Sequence, residues 1–324
     1  VSASTSPSAS GSSYTQKVIS VTITLGKGTF GQTGLNTVKL TAPPLRVIAT
    51  ILKGGFPSMD TAEVRMYGLP PSIMNSVSTL GVPLLMMRQG NTMLVEAGDA
   101  VNGMAVVWNG YIRQAWQDYS DAPDTFLNLI GNTGVQGKIT PVAPLSFPGT
   151  ADVATIMAGL AQQMGWGFEN GGVQVKIASP YLAGTALDQA HALARAANIE
   201  MYADSSTSPI TLAIWPKTGT RGGMIPAINA ASGLVGYPQF QDSGMGFRTL
   251  YNPNIKLGGQ IQMQSSIGGA TTQPQGTAPT AQTGGPNGTW YVQAPLVHNL
   301  SAQEPGGPWF TDVSCIRVLG GVPS

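Results

Sequence analysis

Two histidines, one cysteine and fifteen carboxylates carry most of the chemistry this chain could perform, and their spacing limits what that chemistry is. His191 falls on the apolar side of a helical pattern, with Arg195 one turn on. No Cys or carboxylate is read at metal spacing beside it, so a packed helix histidine is expected. His298 stands in Pro295-Leu-Val-His-Asn-Leu-Ser, a strand pattern without a second histidine near it. Cys315 lies among Val313, Ile316 and Val318. A buried strand thiol fits those neighbours better than a nucleophile, and a lone cysteine excludes an internal disulfide. Asp118, Asp121 and Asp124 crowd one turn but lack the glycine and closing glutamate of a calcium loop. Glu96, Asp99 and Glu169 are the carboxylates open to nomination as a glycosidase pair, and nothing in their spacing selects them. Gly26-Lys-Gly-Thr-Phe-Gly-Gln matches a dinucleotide-binding glycine pattern only superficially, because more strand follows where a helix is required. No nucleophile elbow or phosphate-binding loop is present. The expectation is a non-enzyme: catalytic residues none, cofactor-binding residues none, metal ligands none. The six tryptophans (108, 116, 166, 215, 290, 309) end or interrupt strands. Packing accounts for them, with a sugar-binding platform as the sharper alternative.

Composition points the same way. Hydrophobic residues make up 42% of the 324, enough to bury a core. Only 10% are charged, against about 25% in an ordinary soluble domain. A surface built from Ser, Thr, Gln, Asn and Gly suits a protein packed into an assembly, where desolvating charges is costly. The net charge of +1 gives no global field to attract nucleic acid or an anionic membrane. No apolar run approaches the ~18 residues of a membrane span, so no membrane insertion by this chain is expected.

The elements that would position these residues fall into three regions. Residues 1–16 are polar, lack the apolar core of a secretory signal, and are expected to form a flexible arm. Over 17–116, short apolar runs at Val18–Leu25, Leu45–Leu52, Thr61–Leu69, Met93–Ala97 and Met104–Trp116 predict a first β-barrel-like domain. A brief helix after Pro70 and Pro71 carries Ile73, Met74, Val77 and Leu80. Over 117–220 a strand at Asp124–Ile130 precedes two helices. Asp152 caps one, with Val153, Ile156, Met157, Leu160 and Met164 on one face and Gly165 and Gly167 at its end. Thr185 and Asp188 open the other as a short-armed capping box. A hairpin of Ile199–Ala203 and Ile210–Trp215 completes a small α/β insert domain. Over 221–324 strands return at Leu234–Phe240, Phe247–Tyr251, Gln260–Gln264, Trp290–Ala294, His298–Ser301 and Val313–Leu319, a second barrel-like domain. Its 265–288 stretch of Gly, Thr, Gln, Pro, Ser and Ala is expected to be a long loop. The fold class is therefore α+β, mainly β: two barrel-like β domains flanking a small α/β insert.

Gly233-Leu-Val-Gly-Tyr-Pro-Gln-Phe, Gly246-Phe-Arg-Thr-Leu-Tyr-Asn-Pro-Asn-Ile-Lys-Leu-Gly-Gly-Gln-Ile-Gln-Met, and Trp290-Tyr-Val-Gln-Ala-Pro-Leu-Val-His-Asn-Leu-Ser with Gly307-Pro-Trp-Phe-Thr-Asp-Val resemble stretches of bacteriophage baseplate hub proteins of the late control protein D type, the adaptors between tail tube and spike. Thr61-Ala-Glu-Val-Arg-Met-Tyr-Gly-Leu, and the helix at 185–197 running into Glu200-Met-Tyr-Ala, extend the likeness over nearly the whole chain. In Leu250-Tyr-Asn-Pro, Pro253 forces Asn252 extended and starts a turn, a structural duty. The resemblance implies a homotrimer in the virion tail baseplate, assembled in the bacterial host cytoplasm. Its ring would join the hexameric tail tube (or a distal tail protein) to the central spike protein. The lumen would hold the tape-measure protein and then pass genomic DNA without specific contacts. The chain is expected to depart from the larger members in lacking their fused lysozyme-like segment. A tail-borne receptor- or carbohydrate-binding module, and a cell-wall hydrolase, are the alternatives.

Overall fold

The computed structural model describes residues 15–31, 34–78, 90–99, 101–139, 141–241, 244–265, 285–319 and 322–323. The expected N-terminal arm (apart from Thr15 and Gln16), Leu80 of the first helix and most of the 265–288 stretch lie outside these residues. Strands β1 (Lys17–Thr24), β2 (Thr37–Ala42), β3 (Arg46–Lys53) and β4 (Thr61–Tyr67) lead to helix α1 (Pro71–Val77). Then come β5 (Thr92–Asp99), β6 (Gly103–Asp118), β7 (Phe126–Asn132) and the short helix α2 (Val135–Ile139). The middle of the chain holds β8 (Leu145–Ser146), β9 (Thr150–Asp152), α3 (Val153–Gln163), β10 (Gly167–Asn170), β11 (Lys176–Ala178), β12 (Tyr181–Leu182), α4 (Ala186–Ala197), β13 (Ile199–Asp204) and β14 (Thr211–Pro216). The last part contains β15 (Ala227–Ile228), β16 (Leu234–Gln241), β17 (Gly244–Leu250), β18 (Gln260–Met263), β19 (Gly288–Ala302), β20 (Trp309–Leu319) and β21 (Val322–Pro323).

The chain is mainly β, and most of its strands share one large, mostly antiparallel sheet. Its path runs β16-β17-β20-β19-β3-β4-β7-β6-β5-β1-β2, with β15, β18 and β21 attached beside it. Two features differ from the sequence expectation. The first and last regions are not separate sheets, because β19 pairs with β3 from Leu296–Lys53 to Ala302–Val47. The hydrogen-bonded path is also open among the described residues, with β2 and β16 at its ends, so no closed barrel is present. The strand expected at Asp124–Ile130 with the middle region is β7, and it sits in this sheet between β4 and β6. Alternation explains the sheet's inner face: Val47, Ala49 and Ile51 on β3, Ala62, Val64 and Met66 on β4, and Met93, Val95 and Ala97 on β5 are all buried. Leu300 and Ala302 of β19 join that core. A second core lies among β17, β18, β19 and β20, around Phe247, Ile261, Trp290 and Val313.

β19 is one strand where the sequence suggests two. Pro295 lacks an N–H, but the register slips between Gln293 and Leu296, so the proline occupies a bulge and the strand continues. β2 was hidden by its polar sequence, Thr-Val-Lys-Leu-Thr-Ala, and gains its place by pairing with β1.

The α/β insert folds much as its sequence signals dictate. The Asp152 carboxylate accepts the Thr155 N–H at 2.9 Å and starts α3. At α4, Thr185 Oγ1 accepts the Asp188 N–H at 3.2 Å and the Asp188 carboxylate accepts the Thr185 N–H at 3.3 Å, the expected box. Asn198 ends α4 at φ +51°, where its short amide tolerates the left-handed conformation. The two helices pack on each other, α3 also on β10 and β14 and α4 on β13, with Met157, Leu160 and Leu193 fully buried.

Candidate functional site: a charge-balanced sheet face and the junction beside it

The face of the sheet opposite its core presents a continuous row, one residue per strand. It starts with Thr37, Thr24, Thr92 and Tyr111, paired strand to strand. It goes on through Asn132, Thr61, Leu52 and Val297, and ends with Asp312, Arg248 and Val235. None of the eleven is buried. Hydroxyls and amides dominate, and the Thr24 and Thr37 hydroxyls share a 3.1 Å hydrogen bond.

Charges on this face come in pairs. Lys39 meets Glu96 at 3.1 Å, Arg65 meets Glu63 at 2.9 Å, and Arg248 holds Asp312 through two bonds of 2.6 and 3.0 Å. Exposed pairs of this kind stabilise by only about 0.2–1 kcal/mol. Their larger effect is to cancel the local field, leaving a polar, nearly neutral surface. Alternation set by the core places these side chains together.

Where this sheet meets the insert, ionisable groups are buried. Lys53, on the inward side of β3, donates to Ser205 Oγ at 2.9 Å and Ser206 Oγ at 2.8 Å, with Asp60 and Asp204 each 4.0 Å away. Asp60 Oδ2 accepts the Tyr202 and Ser205 hydroxyls, both at 2.6 Å, and Oδ1 accepts the Gly54 N–H at 3.2 Å. Burial pushes the Asp60 carboxyl up, against the pull of Lys53. Burial opposes ionisation of Asp204 as well, but Lys53 and Arg221 outweigh it and hold that carboxyl well below its ordinary range. Arg221 extends the network to Asp204 at 2.7 Å and to both oxygens of Glu169 at 2.9 and 2.7 Å. The Asn109 amide adds a bond to the Thr207 carbonyl at 3.2 Å. Beside the network lies a cavity of about 30 Å³ between Phe56, Trp166 and His191, room for about one water. The network joins five segments distant in sequence, and no motif announces it. One signal was legible: the period of two that buries Val47, Ala49 and Ile51 also turns Lys53 inward.

The residues singled out by type are scattered. His191 is half-buried against Phe56, ring centroids 3.9 Å apart, and desolvation lowers its pKa to about 4. The nearest carboxylate on its helix, Asp188, lies one turn before it and is committed to the cap. His298 is buried with Nδ1 2.9 Å from Thr311 Oγ1; desolvation and then Lys53 lower its pKa to about 3. Cys315 is fully buried, donates to the Met245 carbonyl at 3.1 Å, and burial pushes its thiol up to about 12. Asp118 caps the turn at Ser120, Asp121 accepts the Tyr67 hydroxyl, and Asp124 faces Arg46. Glu96, Asp99 and Glu169 serve three separate places: an ion pair with Lys39, a turn at Asn102, and the junction. Among the described residues no group of three His, Cys, Asp or Glu is arranged to hold a metal ion. None of the six tryptophans is exposed. No described helix is long and apolar enough to cross a membrane.

Residues 18–273 match the family described as Baseplate hub gp41. The chain belongs to this family. The hub chain also shares its fold with solved structures at very low identity. The tail protein from Neisseria meningitidis MC58 is 7% identical, with a TM-score of 0.55 over 92% of this chain and 96% of that one. The 43 kDa tail protein of prophage MuSo2 from Shewanella oneidensis is 10% identical, with a TM-score of 0.53 and the same coverage. An Escherichia coli type VI secretion component, described as structurally similar to the T4 tail proteins gp27 and gp5, is 9% identical. Its TM-score is 0.52, over 87% of this chain and 76% of that one. No curated protein matches the hub chain. It is thus a structural component of a phage tail baseplate hub.

Proposed function

We propose that this hub chain acts by assembly alone, without catalytic, cofactor-binding or metal residues, and that three copies form a ring. In this reading the ring joins the hexameric tail tube, or a distal tail protein, to the central spike. Its channel holds the tape-measure protein and then passes genomic DNA. The observation that carries the reading is the hub family match across residues 18–273. The paired charges on the sheet's outer face support a channel lining, because a surface with few free cations does not trap a polyanion.

We also propose the organisation that goes with it: an arm over 1–16, barrel-like units over 17–116 and 221–324, and an α/β insert over 117–220. Two observations favour the barrel-like description despite the open ladder. β1 lies against β19, so packing approaches closure where backbone pairing stops. β15 and β16, the two ends of the run β15-β18-β19-β20-β17-β16, are joined by a single turn in which Leu234 N–H donates to the Asn229 carbonyl. Image averaging of intact tails tests the ring. The expected result is threefold density for this chain between tube and spike around an open channel; density in a fibre or capsid would sink the reading.

A further inference from the structure

Lys53 and Asp60 stand opposite each other at the mouth of the β3–β4 loop. The ladder between these strands ends at Leu52 and Thr61, and the next residue out on each side is the lysine and the carboxyl. Their side chains are 3% and 0% exposed, with Lys53 Nζ 4.0 Å from Asp60 Oδ2. Three features distinguish this pair from an ordinary buried ion pair.

First, donors surround the carboxyl. Oδ2 accepts the Tyr202 and Ser205 hydroxyls, both at 2.6 Å, and Oδ1 accepts the Gly54 N–H at 3.2 Å. Donors on both oxygens polarise the carboxyl carbon and are in place for the charge that builds on oxygen when an amine adds. Second, the two carboxyls at the junction are pushed toward opposite states. Burial drives Asp60 toward its neutral form, the form able to lose a hydroxyl, against the pull of Lys53. Burial works on Asp204 in the same direction, but Lys53 and Arg221 outweigh it and keep that group ionised. Ser206 links the ionised group to the lysine: its Oγ accepts from Nζ at 2.8 Å and donates to Asp204 Oδ1 at 2.7 Å. Third, a product water has a place to go. The cavity of about 30 Å³ beside the network is lined by Asp60 and Tyr202, and it has room for about one water.

We propose that Lys53 Nζ and Asp60 Cγ condense to an isopeptide bond within the folded chain. The ammonium gives one proton through Ser206 to Asp204. The free amine adds to Asp60 Cγ, so the C–N bond forms and the Cγ–Oδ2 bond breaks. Oδ2 leaves as water with the carboxyl's own proton and a second proton from nitrogen. Ser205 passes that second proton, its hydroxyl lying 2.9 Å from Nζ and 2.6 Å from Oδ2. The third proton stays on the amide, and nothing is oxidised or reduced. The lysine's flexible stem closes the gap from 4.0 Å to the reacting distance of about 3–3.5 Å. Each chain reacts once, without turnover, and the ionic network described above is the state before the bond. The bond fixes the loop whose Phe56 and Met59 pack against the insert's core. It is independent of the proposed ring.

The intact mass of the purified full-length chain, held at neutral pH until that mass is constant, tests the proposal. The expected product is lighter by one water. After denaturation, trypsin is expected to leave the chain uncut after Lys53 and to release residues 47–65 as one peptide, one water short, whose fragments join positions 53 and 60. A chain of full mass that is cut after Lys53 overturns the proposal. Water loss with normal cleavage after Lys53, the mark of ring closure between Asp60 and the Thr61 nitrogen, overturns it too. A link from Lys53 to the peptide carrying Asp204 does the same. Lys53→Arg keeps the cation without a reactive amine and is expected to hold full mass; equal water loss in this variant would count against the lysine. Asp204→Asn is expected to slow bond formation about a hundredfold, and an unchanged rate overturns the proton path through Asp204. The parent chain's mass decides the question even where a variant does not fold.

Discussion

Single residues in this protein show how position decides the sign of an effect. Trp108 is fully buried, and its ring lies over the backbone of Gly131 and Gly110. A Cβ at 110 would sit 2.6 Å from the ring, and one at 131 would overlap it. Gly131→Ala is expected to cost about 1–3 kcal/mol by overpacking. Gly159, on the exposed side of α3, has nothing within 4 Å of an added Cβ. Gly159→Ala should stabilise by roughly 0.5–1 kcal/mol. Urea unfolding of both variants checks the pair, and a shift of the same sign in each would contradict it.

The histidines supply a pH prediction at the same scale. Their folded pKa values, about 4 for His191 and about 3 for His298, lie below the ordinary histidine value near 6.5. The unfolded chain therefore binds more protons as pH falls below 6.5, and stability is lost on that side. Between pH 6.5 and 4.5 the loss should be about 2 kcal/mol from His298, and less from His191, which solvent partly screens. The Asp99 carboxyl, held near 2 chiefly by hydrogen bonds from Asn102, contributes only at lower pH. Melting temperatures of His298→Gln and the parent across this window are expected to diverge at pH 7 and converge toward pH 4.5.

Among the elements, the insert's hold on the sheet is the feature most exposed to test. Lys53 is 3% exposed at its side chain, with Asp60 and Asp204 close by. Removing its charge leaves those carboxyls facing each other with less compensation, so Lys53→Met should cost about 3–5 kcal/mol. Much of that should return in Lys53→Met/Asp60→Asn, which also removes one acidic group, and a double-mutant cycle in urea measures the difference. Strictly additive losses would mean that the two residues do not share a network. The helix caps are more modest: Thr185→Ala loses one cap bond and should cost about 1 kcal/mol.

For the whole molecule, the proposed channel makes charge on the outer sheet face the quantity to vary. Thr22 and Thr92 both point to that face and are partly exposed. Thr22→Lys/Thr92→Lys would add two cations per copy without touching the core. Tails carrying the variant are expected to assemble normally and to release DNA more slowly, with the delay shrinking as salt rises. Unchanged ejection rates at low salt would place this face away from the DNA.

What the sequence determined by itself was local. Apolar alternation located most strands, because a strand with one buried face must repeat every two residues. Asp152, and Thr185 with Asp188, located two helix starts, because the donors at a helix N-terminus need nearby acceptors. The order of motifs such as Leu250-Tyr-Asn-Pro already pointed to the baseplate hub family. Tertiary structure alone decided how distant segments meet. It joined β19 to β3 in one sheet, carried Pro295 through a bulge, and placed β2 where pairing outweighs its polar composition. It also brought Lys53, Asp60, Asp204, Arg221 and Glu169 into one buried network and paired Lys39 with Glu96 and Arg248 with Asp312 across strands. Register and contact between remote segments depend on which surfaces are buried together, and that is fixed only when the whole chain packs.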